Sequence, residues 1–176
     1  MLAEKCKVAV FVSGGGTNLQ AILDSRGEII KNAEIYLVAS SSKDAYALER
    51  AKKHDIETFI IEDEQRLVEK LKSLEIDFIV LAGYLRILSE DFCKRYSNRI
   101  INVHPSLIPS FCGKGFYGLK VHEKALEYGV KVSGATVHFV NEIPDGGKII
   151  DQKAVRVHEG DTAEDLQKRV MAEAEH

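Results

Sequence analysis

Apolar and polar positions along this chain switch repeatedly between a two-residue and a 3.6-residue period. Lys7–Ser13 is an apolar, β-branched run, and Asn18–Ser25 reads as the start of a helix. Glu34–Ala39 is a second strand, followed by a helical pattern through Leu48 and Ala51. Glu57–Ile61 is a short third strand, and Leu67, Val68, Leu71 and Leu74 give Gln65–Leu74 helical spacing. Asp77–Ala82 is nearly continuous in apolar residues, as expected of a strand buried on both faces. Ser89–Tyr96 reads as a helix and Arg99–Val103 as a strand. Alternation at this spacing predicts βαβ units: an α/β fold of three layers, α/β/α, with a mostly parallel, Rossmann-like sheet.

The second half is patterned differently. Gly113, Gly115 and Gly118 lie among Phe111, Phe116 and Tyr117, so Ser110–Leu119 reads as a loop before a helix over Lys120–Tyr128. Lys131–Val140 and Gly147–Val157 are strand-like and flank Pro144-Asp145-Gly146-Gly147, which predicts an antiparallel hairpin in the C-terminal half. Asp161-Thr162-Ala163-Glu164 resembles a capping box with Asp161 as the cap of a last helix. There is no repeat, low-complexity tract or linker, and 176 residues suit one domain over 1–176.

Composition narrows the function classes. The chain is 45% hydrophobic and 29% charged, with a net charge of −3 and both signs interspersed. That argues against a general nucleic-acid or anionic-membrane surface and leaves room for a local cationic pocket. No apolar run approaches the roughly 20 residues that span a bilayer. The start, Met1-Leu2-Ala3-Glu4-Lys5-Cys6-Lys7, has no separate apolar stretch or signal-cleavage pattern. Cys6, Cys93 and Cys112 form no CxxC, as expected of reduced thiols in a cytoplasmic protein. Oligomeric state stays open.

Two stretches carry candidate chemistry. Ser13-Gly14-Gly15-Gly16-Thr17-Asn18 joins the first strand to the first helix. Its free N–H groups and the helix dipole favour an anion. The dinucleotide fingerprint is incomplete: Leu19 replaces the third glycine, and Ala39-Ser40-Ser41-Ser42 ends the second strand without an acidic residue. No Gly-Lys-Ser/Thr follows, so it is not a P-loop. A phosphate on a small substrate and a purely conformational role both remain. The second stretch is Ile100-Ile101-Asn102-Val103-His104-Pro105. Asn102 and His104, two apart on a strand, share a face, and Pro105 stops the strand. An amide donor and an imidazole on one rigid edge suit a carbonyl that becomes an oxyanion, although alone they could also tie down a strand end. His138, within Ala135–Val140, reads as a satisfied structural residue, and Asp145 alone reads as a turn residue. Together Asn102, His104 and Asp145 supply a donor, a titratable base and a carboxylate. Ser106 lacks a nucleophile elbow, and no HExxH or paired metal spacing is present, which points to metal-free acyl or formyl handling.

At these residues the sequence resembles the phosphoribosylglycinamide formyltransferase family, folate-dependent enzymes of purine synthesis. The matching blocks are Val12–Gln20, Leu81–Ser89, Asn102–Pro109 and Gly134–Val140 with Asp145-Gly146-Gly147. They occur in the family's order across nearly the whole chain. The resemblance implies that Asn102 donates to the formyl oxygen of 10-formyltetrahydrofolate. It implies that His104, as imidazolium, stabilises the oxyanion and acts as general acid, while Asp145 supports it and relays a proton through water. Gly16, Thr17 and Asn18 match the phosphate-binding turn for glycinamide ribonucleotide. Leu85, Arg86, Ile87 and Leu88, with Asn141, Glu142, Ile143, Pro144 and Asp145, match the segments that line the folate pocket; plain core packing is the alternative for Leu85, Ile87 and Leu88.

The chain also departs from the family. No residue of 60–67 matches the basic folate contact of many members, and Ser42 stands where many have asparagine. The chain stops at His176, where the family usually continues. Glu175 resembles the acidic residue that contacts the substrate amine, within a stretch one residue longer than the usual spacing. The implied activity is formyl transfer to the glycinamide ribonucleotide amine, without metal, nucleic acid or membrane. The runners-up are a formyltetrahydrofolate hydrolase and a non-catalytic folate- or nucleotide-binding module. A formyltransferase acting on aminoacyl-tRNA would carry an added nucleic-acid-binding domain.

Overall fold

Along the first strand, β1 (Cys6–Val12), side chains from both faces are buried: Val8, Val10 and Val12 on one, Ala9 and Phe11 on the other. That is the signature of a parallel sheet covered on both sides. A computed structural model describes residues 5–176, so Met1–Glu4 of the N-terminal reading lie outside the described residues. The chain divides into two compact units, one running to Leu88 and one from Ser89 to His176.

The first unit alternates strand and helix as the pattern predicts: β1, α1 (Thr17–Asp24), β2 (Ala33–Ser40), α2 (Tyr46–Lys53), β3 (Glu57–Ile60), α3 (Glu64–Ser73) and β4 (Phe78–Leu81). Its strands lie in the order β3-β2-β1-β4, all parallel. Val8, Val10, Val12, Ile35 and Val38 join Leu19 and Leu23 of α1 and Ala47, Leu48 and Ala51 of α2 in one buried cluster. Asp63 caps α3 by accepting from Arg66 N at 2.8 Å. Strand order reverses beside β1, where β2 and β3 go one way and β4 the other. In open parallel sheets ligands bind at that switch point, beyond the carboxyl ends of the strands. The glycine turn sits at the carboxyl end of β1.

The second unit holds α4 (Glu90–Arg95), β5 (Ile100–His104), α5 (Leu119–Tyr128), β6 (Val132–Phe139), β7 (Ile149–Arg156), α6 (Ala163–Val170) and a π-helical turn, Met171–Glu175. Both β5·β6 and β6·β7 are antiparallel, so the predicted hairpin is present. Ala135, Val155, Val157, Ala125, Leu166 and Val170 form its core, with Val103 packed against them. By strand alternation Val103 faces this cluster, while Asn102 and His104 lie on the opposite face. The register places His138 opposite Asn102, and Thr136 opposite His104.

Two readings shift in detail. β5 continues through His104, so both polar residues lie within the strand and Pro105 follows it. The cap of α6 is Thr162, not Asp161: Thr162 Oγ1 accepts from Asp165 N at 3.2 Å and Asp165 Oδ2 accepts from Thr162 N at 3.0 Å. The reason is that Asp161 is already engaged, accepting from His158 N and holding Arg169 through both oxygens at 2.5 and 2.8 Å. No helix among the described residues is long and apolar enough to cross a membrane.

Candidate active site

His104 enters the site from the end of β5 and is 4% exposed. Its Nε2 lies 2.9 Å from the carbonyl oxygen of Phe111. A carbonyl only accepts, so Nε2 carries a hydrogen and Nδ1 is the lone-pair nitrogen of the neutral ring. Nδ1 faces Asp145 Oδ2 at 3.5 Å. Asp145 therefore stands beside the ring nitrogen that the Phe111 carbonyl does not engage. Asp145 also accepts from Gly113 N at 2.8 Å. Burial works against ionising this carboxyl. The nearby ring of His138, the Gly113 N–H and the nearby ring of His104 outweigh it and hold the pKa below the usual carboxylate range. The Gly113 bond is the well-formed one, since His138 Nε2 is 3.6 Å away, beyond good hydrogen-bond length.

His138 is 1% exposed and satisfied, as a structural histidine should be, but its partners belong to the site. Nδ1 donates to Phe139 O at 2.8 Å, which leaves Nε2 of the neutral ring as an acceptor. Asn102 Nδ2 lies 3.2 Å from that Nε2. This fixes which way the Asn102 amide points and leaves its second N–H to donate elsewhere. A register shift in β6·β7 falls at Val137/His138, and such irregularities re-aim side chains. Asp145 itself has a positive φ of 56°. A β-carbon on the neighbouring Gly147 would come 1.6 Å from Phe139 O, so the turn that presents Asp145 requires glycine there.

In the first unit, Gly16 caps α1 with φ 72° and no side-chain cap bond. A β-carbon there would sit 2.6 Å from Ala47 Cβ. The close approach to α2 thus demands glycine. Arg50 Nε donates to Gly15 O at 2.8 Å and its NH1 to Gln20 Oε1 at 2.9 Å. This guanidinium beside the turn was missed by the sequence reading; only its place one turn along from Ala47 on α2 could have signalled it. Ser13 Oγ bonds Ser41 Oγ at 2.6 Å and accepts from Leu85 N at 2.9 Å, which ties the turn to the segment after β4.

That segment splits. Leu85 and Ile87 are 64% and 74% exposed, so core packing does not explain them, whereas Leu88 is buried. Arg86 donates to the carbonyls of Ile61 and Ser41. In the second unit, Asn141 Oδ1 accepts from Ile143 N at 3.0 Å, Ile143 is exposed, and Glu142 and Pro144 complete an exposed turn. Arg66, the one basic residue of 60–67, is held by Glu62 at 2.6 Å. Glu175 lies in the π-helical turn, where His176 N reaches back to Met171 O at 3.1 Å.

The model of the formyl transferase family matches residues 6–176. The chain belongs to the formyl transferase family. Within it, the chain is 41% identical over 177 residues to the chloroplastic phosphoribosylglycinamide formyltransferase of Arabidopsis thaliana, covering 95% of this chain and 61% of that one. It is 40% identical to phosphoribosylglycinamide formyltransferase of Haemophilus influenzae, covering 93% and 79%. The crystal structure of phosphoribosylglycinamide formyltransferase from Anaplasma phagocytophilum superposes with a TM-score of 0.90 at 36% identity, covering 98% of this chain and 82% of that one. The α/β class, with parallel strands first and antiparallel strands last, is the fold of this family. The chain spans less than two thirds of the length of the plant relatives.

Proposed function

We propose that this chain transfers a formyl group from 10-formyltetrahydrofolate to the amine of N1-(5-phosphoribosyl)glycinamide, a step of purine biosynthesis in the cytoplasm. The observation that carries the reading is a spare Asn102 N–H on the same strand face as a buried His104 whose Nδ1 faces an ionised Asp145. The amine nitrogen attacks the formyl carbon, a C–N bond forms, and the formyl oxygen takes negative charge. Asn102 donates its second amide hydrogen to that oxygen, and His104, protonated at Nδ1, stabilises it. The amine's proton passes through the His104–Asp145 pair, by way of water, to the departing folate nitrogen. The bond from that nitrogen to the formyl carbon then breaks and tetrahydrofolate leaves.

The other candidates have supporting roles. The backbone of Gly16, Thr17 and Asn18, with the dipole of α1, suits the substrate phosphate, and Arg50 adds positive charge at the turn. Exposed Leu85 and Ile87, beside Arg86 and Leu88, are the folate-contact candidates of the first unit. Asn141, Glu142, Ile143, Pro144 and Asp145 are those of the second. Glu175 is the candidate contact for the substrate amine. The reading needs no nucleic acid or membrane.

The test is loss of formyl donor with and without the amine substrate. Amine-dependent loss is expected. Equal loss without amine would make the chain a hydrolase, and no loss from folded protein would make it a binding module.

A further inference from the structure

The register of the second unit aligns three polar residues in one row across its strands: His104 on β5, Thr136 on β6 and Gln152 on β7. Thr136 is fully buried, and its hydroxyl is a hub. It donates to Ser106 O at 2.6 Å and accepts from Ile108 N at 3.0 Å. Gln152 Nε2 donates to the same hydroxyl and to Ile108 O, each at 3.0 Å. Both ends of the turn after β5 are thereby held, and Ser106 Oγ closes it by donating to Ser110 O at 2.6 Å. The next carbonyl, that of Phe111, receives the His104 Nε2 proton, and Phe111 sits at a positive φ of 50°. A side chain at such a φ stays there only when its surroundings hold it.

We propose that Gln152, acting through Thr136, is a positioning residue that locks the tautomer of His104. Gln152 lies on the edge strand and is exposed, and its amide nitrogen makes both of these hydrogen bonds. Ordering an exposed glutamine costs side-chain entropy, which one hydrogen bond to Thr136 and one to the turn offset. With the turn held, the Phe111 carbonyl stays against Nε2, and Nδ1 remains the nitrogen presented to Asp145. Without it, the carbonyl drifts and the proton is shared between the two ring nitrogens, so part of the protein presents the wrong atom to Asp145.

The kinetic side of the proposal rests on formyl transfer; the spectroscopic side does not. Ring nitrogen NMR of the whole chain, with the His104 signals assigned by their loss in His104→Asn, should show one neutral tautomer protonated at Nε2. Gln152→Met, which keeps length and loses the donor, should give an averaged pattern. In the transfer assay it should lower kcat about five- to tenfold, the size expected for one or two neutral hydrogen bonds, with KM unchanged. Thr136→Val should do the same and Thr136→Ser should restore both. A single Nε2–H tautomer and unaltered kcat in Gln152→Met would overturn the proposal, as would a loss confined to KM. If Thr136→Val does not fold, Gln152→Met decides alone. If the natural chain transfers no formyl group, the functional reading fails and the tautomer comparison still decides this one.

Discussion

The two units handle charge by different means. In the first, the candidate anion site is backbone: a left-handed Gly16, the start of α1, and an arginine tied to a carbonyl of the turn. In the second, the candidate site is side chains whose protonation is set by neighbours, down to which nitrogen of His104 and His138 holds a hydrogen. A backbone site is broken by adding atoms, and a side-chain site by removing them. The first should therefore fail in binding and the second in rate.

The largest expected effect is in the second unit. On the proposed reading His104→Ala removes the group that meets the oxyanion and the proton, and kcat should fall by about 10²–10⁴, the range for a general acid or base. Melting temperature should change little, because the lost contacts are one carbonyl and one carboxylate. A kcat within a few-fold of normal would take His104 out of the reaction.

Gly16→Ala is the counterpart in the first unit. The new methyl would meet Ala47 Cβ at 2.6 Å on a backbone that side chains avoid. The turn must move, at a cost of about 1–3 kcal/mol. KM for the phosphorylated amine should rise by about tenfold or more while kcat changes less. If kcat fell and KM held, the division between binding unit and chemical unit would be wrong. Arg50→Met sharpens the same point with a smaller change. It keeps the bulk and removes the charge, so KM should rise about three- to tenfold, less so at high salt, as for a partly exposed charge near an anion.

How much of this was legible in the sequence differs between the units for the same reason. The order of elements was readable because a central strand of a parallel sheet is apolar on both faces, as Val8 to Val12 show. The glycine turn was readable because only glycine suits Gly16. Asn102, His104 and Asp145 were readable as types. Their wiring was not, because it runs through the carbonyl of Phe111 and the N–H of Gly113, which every residue has. Thr136 and Gln152 look like ordinary strand residues until the register aligns them with His104. The cap of α6 was misplaced by one residue because Asp161 and Thr162 are both good caps, and the bonds of Asp161 to His158 N and to Arg169, eight residues away, decide between them. The π turn over Met171–Glu175 departs from the 3.6-residue period, so helical periodicity does not reveal it.

One residue breaks the tidy picture of a fully bonded second unit. His122 on α5 is completely buried, and neither ring nitrogen has a hydrogen-bond partner. Burial, helped by the charge of His104, lowers its pKa from 6.5 to about 4. Above pH 6.5 the ring is neutral in both folded and unfolded chains and adds no pH dependence. Between about 6.5 and 4 the unfolded chain takes up a proton that the folded chain refuses, so stability falls as the pH is lowered through that window. The full difference is worth about 3 kcal/mol. His122→Leu should remove this slope and also relieve an unpaired polar group, so urea midpoints at pH 7 and pH 4.5 should lie closer together than in the natural chain. Transfer at neutral pH should be nearly unchanged. If the variant instead lost kcat as His104→Ala does, the unpaired ring would belong to the chemistry, and the second unit's site would extend into α5.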